Sequence, residues 1–137
     1  FYRAFLYSQQ RDYKRARIDY DRLIKLDPAN EKARLGLAVL NEKDRRPREA
    51  MEQLDALIQL FPTHASLYLV RGGMFLTRKQ YELAQADIDR AMELEPENPD
   101  CYITRSQLYK ALRKKKQAKA DAQKAILLGA DPSFLGQ

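Results

Sequence analysis

Apolar positions along this chain recur three and four residues apart in runs of about a dozen, the spacing of a helix with one buried face. The runs stop at short polar or proline-bearing stretches, and eight helical segments can be drawn, paired into four hairpins. The first helix covers about Phe1 to Gln9, and its partner, about Tyr13 to Leu26, turns Ala16, Tyr20, Leu23 and Ile24 inward. Asp27-Pro28-Ala29-Asn30 ends it, because proline lacks the amide donor and restricts the residue before it. A second hairpin starts near Glu31 with Leu37, Ala38 and Leu40, turns at Asp44-Arg45-Arg46-Pro47 and continues through Ala50, Leu54, Leu57 and Ile58. Phe61-Pro62 closes it. The third turns at Arg78-Lys79-Gln80, and the fourth opens on Asn98-Pro99, a capping residue followed by a proline suited to the first helical turn. Gly129 is placed to end the last helix, and Phe134 and Leu135 in the tail carry enough apolar surface to dock.

The hairpins are copies of one template. Pro28, Pro62 and Pro96 are 34 residues apart, as are Ala16, Ala50, Ala84 and Ala118. A fixed period near 34 marks an array of helix–turn–helix repeats, here about 1–30, 31–64, 65–98 and 99–130 with a tail at 131–137, in one domain spanning 1–137. Two helices of about 13 residues bury too little alone, so each hairpin must stack on its neighbours. A charged pattern rides on the same period. Arg3, Arg71 and Arg105 each have an aspartate 16 residues on, at Asp19, Asp87 and Asp121, whereas the second repeat has Leu37 and Gln53. Ion pairs between the two helices of a hairpin are expected at Arg3–Asp19, Arg71–Asp87 and Arg105–Asp121.

Composition narrows the chemistry. A 45% apolar content with dispersed charge is globular rather than disordered. The single cysteine, Cys101, excludes an internal disulfide and a thiolate metal cluster. His64 is the one histidine and lies in a turn, a full repeat out of step with Cys101 and without a third group to orient the pair, so a catalytic function is not expected. No phosphate-binding glycine loop and no metal-ligand spacing is present, and no cofactor or metal is expected. The longest aliphatic run, Ala125 to Leu128, is far short of the roughly 20 residues of a membrane span. The chain opens on Phe1 rather than Met, which suggests a piece of a longer protein. The compartment stays open: a soluble protein is expected, cytoplasmic or, if a signal peptide was removed, exported.

The order bulky residue, Leu-Gly or Arg-Gly, aromatic, then Ala, aromatic, Ala and Pro resembles the tetratricopeptide repeat family over essentially the whole chain. The third repeat matches best, through Tyr68, Gly72, Phe75, Ala84, Ile88, Ala91 and Pro96. The fourth follows with Tyr102, Ser106, Tyr109, Ala118 and Ala125, while the second departs at Arg34 and at Asn41, where an aromatic belongs. The resemblance implies an all-α, right-handed superhelical solenoid of four repeats. It also implies a protein-interaction scaffold, with the first helix of each hairpin lining a concave groove that takes an extended or helical peptide. The groove positions it carries over include Tyr2 and Phe5, Leu35 and Val39, Leu69, Val70, Gly73 and Leu76, and Ile103 and Gln107.

That set is apolar, and exposed contiguous apolar surface marks an interaction site. The partner protein is not named by the sequence. The alternative is that the strip is covered by a second copy of the chain, making a homo-oligomer, or by another part of the parent protein. The family's clamp for a chaperone's C-terminal carboxylate needs cations that are absent here. Its positions read Phe1, Phe5, Gly36, Ser66 and Val70, or one repeat later Leu35, Val39, Val70, Asp100 and Thr104. The net charge of +6 is segregated. Turns inside hairpins hold Arg45, Arg46, Arg78, Lys79 and Arg113 to Lys116, while turns between hairpins hold Asp27, Glu95 and Glu97. A basic rim offers a third, lesser reading, an anionic partner such as nucleic acid.

Overall fold

Turn chemistry decides how each helix hands the chain to the next. The computed structural model describes residues 12–136. Among them run seven α-helices and no strand: α1 Tyr13–Leu26, α2 Glu31–Lys43, α3 Pro47–Leu60, α4 Ala65–Thr77, α5 Tyr81–Leu94, α6 Pro99–Ala111 and α7 Lys115–Leu127. A 3-10 turn, Pro132–Gly136, closes the chain. This is an all-α repeat solenoid fold.

Helices α2, α4 and α6 end alike. Arg45, Lys79 and Arg113 take left-handed backbone, with φ of 58°, 60° and 62°. The residue after each reaches back five positions: the Arg46 amide donates to the Asn41 carbonyl at 2.7 Å, Gln80 to Phe75 at 2.8 Å and Lys114 to Tyr109 at 2.8 Å. These bonds satisfy carbonyls that the helix end leaves open. Cations suit a helix C-terminus electrostatically, but a side chain in left-handed backbone carries a steric cost that glycine escapes. Lys79→Gly is therefore expected to raise stability by about 0.5–1 kcal/mol in urea melts, after allowing for glycine's own entropy loss. A lower midpoint would show that the lysine's charge outweighs its strain.

Helices α1, α3 and α5 end differently, without left-handed residues. The amides of Asp27, Phe61 and Glu95 donate to the carbonyls of Leu23, Leu57 and Ala91 at 2.9, 2.8 and 2.9 Å, and a proline follows each. Asparagines start the next helices of two of these turns. Asn30 Oδ1 accepts from the Ala33 amide at 3.0 Å, and Asn98 Oδ1 from the Asp100 amide at 2.9 Å. Helix α7 breaks the alternation. It closes like a first helix, with Gly129 at φ 108° and the Ala130 amide donating to the Ala125 carbonyl at 2.9 Å.

The chain divides into two compact units, one ending at Pro62 and the other starting at Thr63. In the first, α2 packs on α1 and on α3. Leu37, Ala38, Ala50, Leu54 and Leu57 are buried in the α2–α3 hairpin. A side chain at Gly36 would meet the Tyr20 ring at 2.7 Å, so α1 approaches α2 over a glycine. Helix α1 has no buried residue, and Leu23, expected inward, is exposed. Among the described helices α2 is its main neighbour, and that contact takes the Tyr20 side of α1.

In the second unit the α4–α5 and α6–α7 hairpins join through α5 against α6 and α4 beside α6. Ala84, Ile88 and Leu108 are fully buried at the centre, ringed by Phe75, Leu76, Tyr81, Met92 and Leu112. At the α4–α5 crossing, a Cβ on Gly72 would lie 3.4 Å from Asp87 Cβ and 3.5 Å from the Ala84 carbonyl, an ordinary contact. The position thus requires a small side chain rather than glycine. Ala38 fills it in the first unit, and Ser106 in the last hairpin donates its hydroxyl to the Ala118 carbonyl at 2.8 Å.

Candidate functional site

The charged pattern and the apolar pattern occupy different sides of the first helices. Arg71 grips Asp87 with two bonds, Nε to Oδ2 and Nη2 to Oδ1, both 2.8 Å. Arg105 holds Asp121 in the same way, at 2.8 Å and 2.8 Å. The aspartate side chains are 7% and 8% exposed, the arginines about a quarter. Each guanidinium also lies between two rings of its own helix. Arg71 is 5.8 Å from the Tyr68 ring centre and 6.0 Å from Phe75, and Arg105 is 5.5 Å from Tyr102 and 5.7 Å from Tyr109. The bond to Asp121 pushes the Arg105 guanidinium pKa further up. With these paired bonds turned into the hairpin, the arginines and aspartates fix helix geometry. The rings were legible as filler only; their spacing of three before and four after each arginine was the available signal for the sandwich. Arg3 lies outside the described residues, and Asp19 is exposed on α1.

The second repeat has a different network in place of the pair, with an amide pair at its centre and an ion pair at one end. Asn41 is buried, its Nδ2 donating to Gln53 Oε1 at 2.8 Å and its Oδ1 accepting from Arg17 Nη2 at 2.8 Å. Arg17 goes on to Asp44 at 2.8 Å. Asn41 and Gln53 were both visible in the sequence as departures from the repeat. Their complementarity was not, because Asn41 stands four residues beyond the position that carries arginine in the other hairpins.

The candidate groove residues fall on α2 in one unit and on α4 and α6 in the other; Tyr2 and Phe5 lie outside the described residues. Leu35 and Val39, with Gly36, Lys32 and Lys43, line a concavity of about 520 Å³ whose other wall is Tyr13, Ala16 and Tyr20 of α1. In the second unit Leu69, Val70, Gly73 and Leu76 on α4 and Ile103 on α6 are half-buried, and Gln107 is exposed. The adjacent glycines mark the two sides of α4. Gly72 is buried at the α5 crossing, whereas a Cβ on Gly73 would meet nothing within 4 Å. Leu76 also packs at the edge of the core.

Cys101 is fully buried, its Sγ 3.8 Å from the Glu95 carbonyl. Burial pushes its thiol up to about 11, with the Glu95 and Asp100 carboxylates adding to the shift. A thiol whose folded pKa is raised lends stability below its unfolded value, and that stability is lost as pH climbs towards about 11. The stability difference between the native chain and Cys101→Ala should accordingly shrink across that window in denaturant melts. Iodoacetamide at pH 8 should leave Cys101 unmodified until the chain unfolds; labelling at the rate of a free thiol would contradict the burial. Among the described residues no group of three histidine, cysteine, aspartate or glutamate side chains is arranged to hold a metal ion. No described helix is long and apolar enough to cross a membrane.

Comparison with known proteins places these features in a family. A tetratricopeptide repeat model matches residues 3–65 and 43–99, and a second matches 99–131. Among solved structures, a tetratricopeptide repeat protein from Parabacteroides merdae ATCC 43184 is 25% identical with a TM-score of 0.83, covering 98% of this chain and 52% of its own. PilF of Pseudomonas aeruginosa is 23% identical with a TM-score of 0.78, over 95% of this chain and 60% of that one. MamA from Desulfovibrio magneticus RS-1 is 23% identical with a TM-score of 0.70, over 85% and 66%. The chain thus spans about half to two thirds of the length of these three proteins. No curated protein is significantly similar to the chain in sequence.

Proposed function

The chain belongs to the tetratricopeptide repeat family, and we propose that it serves as a protein-interaction scaffold whose first-helix faces hold an extended or helical segment of a partner protein. One observation carries the reading. Leu69, Val70, Leu76 and Ile103 keep part of their apolar surface exposed on neighbouring helices, beside Gly73, which leaves open space where a side chain would stand. Such a face suits apolar side chains of a peptide laid along α4 and α6, with Gln107 available to its backbone. The α2 concavity bearing Leu35 and Val39 is a second such face in the first unit. The scaffold reading assigns no catalytic role to any residue.

A displayed random-peptide library selected against the full chain tests this. Selected peptides should lose about ten-fold or more in affinity to Val70→Glu/Ile103→Glu, yet bind Leu83→Glu, an exposed position on α5, as they bind the native chain. Peptides indifferent to the α4 and α6 changes would overturn the assignment of the face. A concentration-dependent dimer dispersed by those same changes would transfer it to a second copy of the chain.

A further inference from the structure

The α6–α7 turn of the second unit carries more positive charge than the fold uses. Lys110, Arg113, Lys114, Lys115, Lys116 and Lys119 are all exposed. None of the six forms an ion pair among the described residues. Asp121, the acid in this stretch, is already bonded to Arg105. The Lys114 ammonium lies 5.8 Å from the Tyr109 ring centre.

Part of this charge works against the helix that bears it. Lys114 caps α7, and Lys115 and Lys116 open its first turn, where the helix dipole presents positive charge and favours acids. Helices α2, α3, α5 and α6 follow that preference, with Glu31, Glu49, Glu82 and Asp100 in their first turns. Residues that oppose the local rule without a compensating contact point to a role outside folding.

The neighbouring turn extends the same edge. Lys79 and Leu83 of the α4–α5 hairpin and Leu112, which follows α6, line one concavity of about 500 Å³, so the two turns adjoin; Gln80, Tyr81 and Glu82 also line it. Leu83 is 49% exposed. The edge therefore combines clustered lysines with accessible leucine. Base stacking would require an aromatic platform, but Tyr109 is half-buried and faces Lys114 and Arg105. Clustered lysine ammoniums beside one exposed leucine, Leu83, match a layer of anionic headgroups above acyl chains. We propose that this edge, formed by the α4–α5 and α6–α7 turns, is a docking surface for an anionic lipid bilayer.

The test is co-sedimentation of the full chain with vesicles. The native chain should partition onto phosphatidylglycerol-containing vesicles, not onto pure phosphatidylcholine, and salt should release it. Lys114→Glu/Lys115→Glu/Lys116→Glu should weaken partition at least about ten-fold, since each lysine near the surface adds to the attraction. Its melting temperature should stay level or rise, because the change removes cations from a helix N-terminus. Val70→Glu/Ile103→Glu, which disables the proposed peptide face, should bind vesicles as the native chain does. Absence of partition onto anionic vesicles, or equal partition by the triple variant, would overturn the proposal. Binding to a duplex DNA oligonucleotide in place of vesicles, lost in the triple variant, would reassign the edge to nucleic acid.

Discussion

Arg71→Ala should lower the stability of the second unit by about 3 kcal/mol, a large loss for one side chain at a helix surface. The cost comes mainly from what is left behind. Asp87 is 7% exposed, and its carboxylate has both oxygens bonded to Arg71. Removing the arginine leaves a charge that water cannot reach, and also strips the Tyr68 and Phe75 rings of the cation between them. The opposite experiment separates pairing from burial. Arg71→Met with Asp87→Leu leaves no orphaned charge and should recover most of the loss. Urea melts of the two single variants and the double variant complete the cycle. A loss under about 1 kcal/mol for Arg71→Ala would mean that solvent reaches Asp87 readily.

Leu108→Ala should cost about 2–5 kcal/mol, and its effect should be distributed unevenly. Leu108 belongs to α6 but is fully buried with Ala84 and Ile88 of α5, so it is the side chain through which the last hairpin grips the one before it. In a repeat array, stability is a sum of hairpin terms and nearest-neighbour interface terms. Truncating Leu108 weakens the interface term most. Hydrogen exchange should then show α6 and α7 opening at lower free energy than α4 and α5. Equal loss of protection in all four helices would place Leu108 in a single indivisible core.

Much of the fold was legible because its pattern recurs along the chain. The 34-residue spacing of Pro28, Pro62 and Pro96 located turns whose helices do end on Leu26, Leu60 and Leu94. Patterns confined to one copy were harder to read. Asn41 departs from the aromatic seen at Phe75 and Tyr109, and only the fold reveals that Arg17 and Gln53 approach it from two other helices. The left-handed backbone at Arg45, Lys79 and Arg113 was hidden for another reason. Glycine signals that conformation in a sequence, and here it marks only the end of α7. The candidate groove residues were legible as positions, since helical period and repeat phase fix which side of a first helix they share. What they bind was not, because an apolar face records the partner's polarity but little of its order.

Gly129 has a consequence for the phase of the array. Helix α5 runs to Leu94 and exits through Glu95-Pro96-Glu97-Asn98, which delivers the chain to a new first helix. Helix α7 stops at Leu127, one residue short of the matching position, and exits through the turn that elsewhere leads inside a hairpin. The next segment, Pro132–Gly136, winds as a 3-10 turn. Modularity in this chain is thus decided in its connectors. Periodicity can be continued or interrupted by a few backbone angles, with the helices on either side left unchanged.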